Sequence, residues 1–176
     1  ASRPKAIAVG NICAQCHSLS RDLFIQSPHK AAHDRMKLPE CEVCHGNHLI
    51  QRTSDAMLGI GTEAVCSRCH EEGSKGFQVA YAMKSSIEDL KKNLSEAEEV
   101  VLEAEHIGMG VDEVKFDLGQ AKSHLTQARA YVHSFSEKEV ATITQKGKEI
   151  AKRAYEGGSK AMEAFQFRRK GFWISA

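Results

Sequence analysis

Cys13-Ala14-Gln15-Cys16-His17 returns as Cys41-Glu42-Val43-Cys44-His45 and again as Cys66-Ser67-Arg68-Cys69-His70. These three copies of Cys-x-x-Cys-His use all six cysteines of the 176-residue chain. The pattern is the attachment signature of c-type haem: two thiols form thioethers to the porphyrin, and the adjacent histidine becomes the proximal iron ligand. The spacing therefore predicts three covalently attached haem c groups. Cys13, Cys16, Cys41, Cys44, Cys66 and Cys69 supply the thioethers, and His17, His45 and His70 the proximal ligands.

Other uses of the cysteines account for the pattern less well. Disulfides leave the repeated histidine unexplained. Structural zinc needs two cysteine pairs, or one pair with a spaced histidine pair, and three pairs do not divide that way. A thioredoxin-like redox site expects one motif beside a βαβ pattern, which is missing. Gly59-Ile60-Gly61 is too short for a phosphate-binding loop, and no Ser/His/Asp arrangement can be argued from spacing.

Composition divides the chain near residue 75, which predicts two domains, 1–75 and 76–176. All cysteines and prolines precede the divide, but only one of the eleven aromatics does, Phe24. A segment so poor in large apolar side chains cannot bury much core of its own. Porphyrins are expected to supply that core, with loops and short helices wrapped on them, little regular structure and an unfolded apo form.

Residues 76–176 read as helix, so the fold class is mainly α. One apolar stripe runs Met83, Ile87, Leu90, Leu94, Ala97, Val101, Ala104, at helical spacing. Gly108-Met109-Gly110 offers a stop. A second stripe runs Val111, Val114, Leu118, Ala121, Leu125, Ala128, Val132, Phe135. Ser136 and Glu139 form a capping-box pattern opening a third helix. That helix carries Val140, Ile143, Ile150 and Ala154, then meets Gly157-Gly158, which either kink it or admit a close neighbour. The pattern predicts an antiparallel three-helix hairpin or bundle. The first helix is acidic and the third basic, which favours their adjacency.

The sixth ligand separates electron transfer from catalysis, because a second strong ligand closes the iron to substrates. His29, His48, His33 and His133 are the distal candidates. His48 lies too close to His45 to grip the opposite face of the same haem, so it would serve a neighbour. His33 stands one helical turn from His29. His106 and His124 read as solvent-facing, and Met36 and Met57 as packing residues.

Ser27-Pro28-His29, followed by Cys41 to His48 and Cys66 to His70, resembles bacterial multihaem cytochromes of the broad cytochrome c3/c7-like class. The likeness covers roughly residues 11–72 and implies that His29 and His48 are distal ligands. Val132-His133-Ser134-Phe135 and Arg168-Arg169-Lys170-Gly171-Phe172-Trp173 are similar to the helical tail of some members, which keeps His133 among the candidates. Three haems depart from the four-haem members.

The charges nearly cancel, with 24 Lys and Arg against 23 Asp and Glu, so no nucleic-acid footprint is expected. No apolar run approaches the roughly 20 residues of a membrane span. No signal peptide opens the chain, which reads as a mature or trimmed form of an exported protein. The expectation is a periplasmic or otherwise extracytoplasmic electron carrier rather than an enzyme. Its partners are redox donors and acceptors, among them a membrane-bound or multihaem complex, with the Phe165–Trp173 end as a contact surface and a homo-oligomer possible through the helices. The alternatives are a haem enzyme or sensor with one open iron, or a cytochrome subunit of a larger redox complex.

Overall fold

A computed structural model of the chain describes residues 9–174, of which 171–174 are placed in helix without side-chain detail. The described residues are mainly helical, with no strand among them. Four short helices come first: α1 (Val9–Cys13), α2 (Ser18–Gln26), α3 (Pro28–Met36) and α4 (Glu42–His45). Two 3₁₀ turns follow, Asp55–Met57 and Cys66–Arg68. Three long helices complete the chain: α5 (Lys75–His106), α6 (Asp112–Tyr131) and α7 (Glu137–Ile174), with the 3₁₀ turn Val132–Ser134 joining the last two.

The compact units are not the segments on either side of residue 75. One unit comprises 1–84 with 129–140, and the other 85–128 with 141–176. The difference has a local cause: the turn Val132–Ser134 packs on α2, so the α6–α7 junction belongs with the cysteine motifs. Sequence spacing cannot show that return, because the apolar stripes of α6 and α7 run on through it.

In the second unit the predicted stripes form the core. Leu90, Leu94, Ala97, Val101 and Ala104 of α5 are buried with Val111 before α6, Leu118 and Ala121 of α6, and Ala151 and Ala154 of α7. Each fully buried leucine or valine contributes about 1.5–3 kcal/mol relative to an exposed one. The pairs Lys115–Glu105 at 2.6 Å and Lys122–Glu98 at 2.6 Å step in opposite directions along α6 and α5. The same reversal relates Asp117–Arg153 and Val114–Gly157 across α6 and α7. Neighbours therefore run antiparallel, as expected of short connections. The acidic face of α5 finds lysines on α6, so opposite charge on α7 is not what pairs Glu98 and Glu105.

Glycine sets how closely α7 approaches its neighbours. A Cβ on Gly147 would lie 2.8 Å from Leu90 Cδ2 and 3.0 Å from His124 Cβ. One on Gly158 would lie 3.0 Å from Val100 Cγ1 and 3.3 Å from the Val101 backbone nitrogen. α7 passes through Gly157-Gly158 without interruption, so the glycine pair admits neighbours and does not end the helix. At its start the Ser136 hydroxyl accepts the Glu139 amide at 3.3 Å, the bond the capping-box pattern predicts.

The first unit buries little. Phe24, Ala64, Ala80, Met83 and Val140 are its buried apolar residues, while Ile12, Leu19, Met36, Leu38, Leu49 and Ile50 are exposed, Leu49 by 84%. Met36 is thus not a packing residue within this chain. Of the expected contact end, Phe167 is 80% exposed, whereas the side chains of Phe172 and Trp173 lie outside the described residues. Among the described residues no helix is long and apolar enough to cross a membrane.

Candidate functional site

The three cysteine motifs fold into the same backbone turn. The histidine amide donates to the carbonyl of the first cysteine in each: His17 to Cys13 at 2.9 Å, His45 to Cys41 at 3.0 Å, His70 to Cys66 at 3.0 Å. The amide of the second cysteine donates to that same carbonyl at 3.2, 3.3 and 3.2 Å, respectively. One closed turn puts residues three and four apart on one face. Two thiols and an imidazole therefore project together, the arrangement that two thioethers and one iron bond on a single porphyrin require.

The motifs also stand next to one another. The Cys41 thiol is hydrogen-bonded with Cys13, and burial together with that neighbour pushes it up to about 11. Burial raises the Cys44 thiol as well, with Cys66 adding to the rise and Arg68 opposing it. Arg68 donates to the Val43 carbonyl at 3.3 Å, tying the third motif to the second. Glu40, just before the second motif, faces Arg21 at 3.6 Å and Lys30 at 3.8 Å. Its carboxylate lies where a side chain on Gly10 would stand. All six thiols are free, so no disulfide competes for them.

Histidines from distant parts of the chain meet those of the motifs. His29 of α3 faces His70 with ring centres 5.8 Å apart and planes at 74°. His133 faces His45 at 6.0 Å with planes at 28°. His29 is pushed down to about 4, by burial first and then by His70 and His33. His45 is lowered by burial, with His133 and His17 adding to it. Both shifts favour the neutral form, in which imidazole binds a metal. Gly76 is part of this fit: a Cβ there would occupy the place of the His70 ring.

Hydrogen bonds orient two of the candidates. A carbonyl only accepts, so Nδ1 of His133 donates to Ala130 at 2.9 Å and Nδ1 of His33 donates to Pro39 at 2.7 Å. Each then presents Nε2 with a free lone pair, as metal-bound histidines do. Nδ1 of His29 is buried with no hydrogen-bond partner. His33 is 6% exposed and packs edge-on to Phe24 at 5.2 Å.

The remaining predicted residues are placed differently. His17 and His48 are exposed, His48 in a loop with no ring partner described. His124 is half-buried with an unpartnered Nδ1, so it does not face solvent as its position beside the seam predicts. Met57 is half-buried. Sequence reading missed Phe135, whose ring stacks on His29 with centres 3.7 Å apart, and Arg129, paired with Asp55. Phe135 is visible in the sequence only as the last residue of an apolar stripe.

The donor set fits covalent haem on three counts: the repeated Cys-x-x-Cys-His turn, the histidines His29 and His133 facing His70 and His45, and the exposed apolar side chains of the same unit, such as Ile12, Leu19 and Leu49. Among the described residues no three His, Cys, Asp or Glu side chains converge as they do on a bare metal ion, and haem, whose porphyrin brings four nitrogens, asks for only one or two protein donors. The family models, the curated proteins and the solved structures compared with the chain contain no match to it.

Proposed function

We propose that this chain is an extracytoplasmic electron-transfer protein carrying three covalently attached haem c groups and passing electrons between redox partners. The observation that carries the reading is the threefold repetition of one turn, with two thiols and an imidazole projecting from each. The haem supplies one-electron exchange at its iron; the chain's part is attachment, orientation and insulation.

Cys13 meets Cys41, and Cys44 neighbours Cys66 and Cys69, so haems attached there would follow one another closely. Attachment sites in contact would favour electron hopping from one group to the next. His29 and His133, which face His70 and His45, would offer second imidazoles, a ligand set that closes a haem iron to substrates and suits electron transfer. Half-burial of His45 and His70 limits the water that reorganises when charge moves. The extracytoplasmic location follows from the chemistry, because c-type haem is attached after export. The partners are redox proteins, free or within a membrane-bound or multihaem complex.

A second reading attaches to the first motif alone, where His17 is exposed. An open sixth position there would suit reduction of a small oxyanion or peroxide, or gas sensing.

Whole-protein mass spectrometry of the exported protein tests attachment, with three haem masses added to the chain as the expected result. Electron paramagnetic resonance of the oxidised protein then separates the two readings. Low-spin signals alone, unchanged by cyanide, support electron transfer; one equivalent of high-spin iron that binds carbon monoxide on reduction transfers the function to the first haem. A mass equal to the bare chain sinks both.

A further inference from the structure

Resting on the reading of the three motifs as haem sites, we infer that the single turn Val132–Phe135 governs two irons at once. His133 is the sixth ligand of the iron bound through His45. Phe135 is a positioning residue for His29, which is the sixth ligand of the iron bound through His70.

The spacing of the rings carries the first half. Two imidazoles bonded to opposite sides of one metal ion at about 2.0–2.1 Å each hold their ring centres roughly 6 Å apart. His45 and His133 stand at 6.0 Å with planes at 28°, farther apart than rings in direct contact and at the spacing that such a pair requires. The Ala130 carbonyl, 2.9 Å from Nδ1 of His133, holds the proton on that nitrogen and frees Nε2. Arg129, one helical turn earlier, is fixed by two hydrogen bonds to Asp55, so the residues leading into the turn are anchored.

His29 and His70, at 5.8 Å, satisfy the same spacing. His33 competes on distance alone, at 6.3 Å from His29. It sits four residues along the same helix, so the two rings leave one face side by side and cannot grip opposite faces of one plane. What holds His29 in register with His70 is Phe135. Its ring lies flat on His29 at 3.7 Å and 26°, while Phe24 meets its edge at 6.4 Å. Phe135 adopts φ 52°, a left-handed conformation that is strained for a bulky residue. Packing maintains this strain, and strain of that kind gathers at functional sites.

Ligation is therefore shared. His133 and Phe135 are two residues apart and reach two different irons, so a displacement of the turn reaches both.

The test uses the full chain with its haems attached. Mass spectrometry first counts haems in wild type and variants; attachment through cysteine needs no sixth ligand, so a bare chain in wild type overturns the underlying reading, whereas three haems with the wrong spectra overturn only this inference. His133→Met is expected to keep three haems, to replace one low-spin signal and to raise one midpoint potential. His133→Ala is expected to convert one equivalent of iron to high spin, with added imidazole restoring the low-spin signal. Phe135→Leu is expected to change the g-values of a different low-spin signal, and Phe135→Tyr, which keeps a flat ring, to preserve them. Three haems with the wild-type spectrum in both His133 variants overturn the assignment of His133. A wild-type spectrum in Phe135→Leu, or equal changes in Phe135→Leu and Phe135→Tyr, overturns the positioning role.

Discussion

Arg129 holds Asp55 in a two-pronged grip, Nε to Oδ1 at 2.8 Å and a terminal nitrogen to Oδ2 at 2.7 Å. The pair joins the end of α6 to the 3₁₀ turn that opens at Asp55, across 74 positions of sequence. Parallel hydrogen bonds between guanidinium and carboxylate are geometrically specific as well as strong, so this contact sets where the α6–α7 junction lies against the loop between the second and third motifs.

Arg129 is half-exposed, so solvent screens much of the attraction. Arg129→Ala is expected to lower stability by about 1 kcal/mol, the range for well-formed exposed pairs. Asp55→Ala is expected to cost more, because its carboxylate is the more buried partner, with side-chain exposures of 13% for Asp55 and 45% for Arg129. Chemical denaturation of both single variants and the double variant checks this. A coupling energy indistinguishable from zero would mean that the contact contributes nothing to stability.

Replacing the six cysteines with alanine would remove every thioether of the proposed haems. The first unit then has a small core of Phe24, Ala64, Ala80, Met83 and Val140, too few large side chains to offset chain entropy. Hydrogen exchange is the measurement: amides of 13–70 are expected to lose protection, while those of Leu90–Ala104 and Ala151–Ala161 keep it. Equal protection in both regions would show that the first unit folds on its own side chains.

Helical glycines divide into two kinds. Gly147→Ala forces a methyl against Leu90 and His124 at 2.8–3.0 Å. Overpacking of this kind costs about 1–3 kcal/mol, more than the helix propensity gained. Gly119, on α6, has nothing within 4 Å of where a Cβ would stand. Gly119→Ala is expected to stabilise by about 0.5–1 kcal/mol. Thermal denaturation should move the two midpoints in opposite directions.

Ser136→Ala deletes the acceptor for the Glu139 amide. Loss of an N-cap side chain costs about 0.5–2 kcal/mol. Ser136→Asp, which keeps an acceptor at the positive end of α7, is expected to recover most of it, as read by urea midpoints of the three proteins.

The second unit was legible in the sequence because helical burial is periodic. Leu90, Ala97, Val101 and Ala104 are each almost wholly buried, as their spacing predicts. The three motifs were legible as a repeat, but the closed turn that each adopts was not read from their spacing. What spacing could not give was which distant residues return to those turns. His133 continues no pattern that points at His45, and Phe135 looks like one more apolar residue at the end of a stripe. Both reach their neighbours because α6 ends where α2 receives the turn, a property of three-dimensional packing. Composition changes near residue 75, whereas the contacts divide the chain after residue 84 and return 129–140 to the first unit.

The return of residues 129–140 to the first unit has a consequence for how the protein is made. A chain that emerges from its N-terminus presents His45 early, and the residue that comes to face it only after α5 and α6 have been synthesised. Closing so long a loop is slow compared with forming one helical turn. The first unit thus has an obligatory late step in its biogenesis. Until the α6–α7 junction arrives, His45 and His29 lack His133 and Phe135, the rings that come to face them.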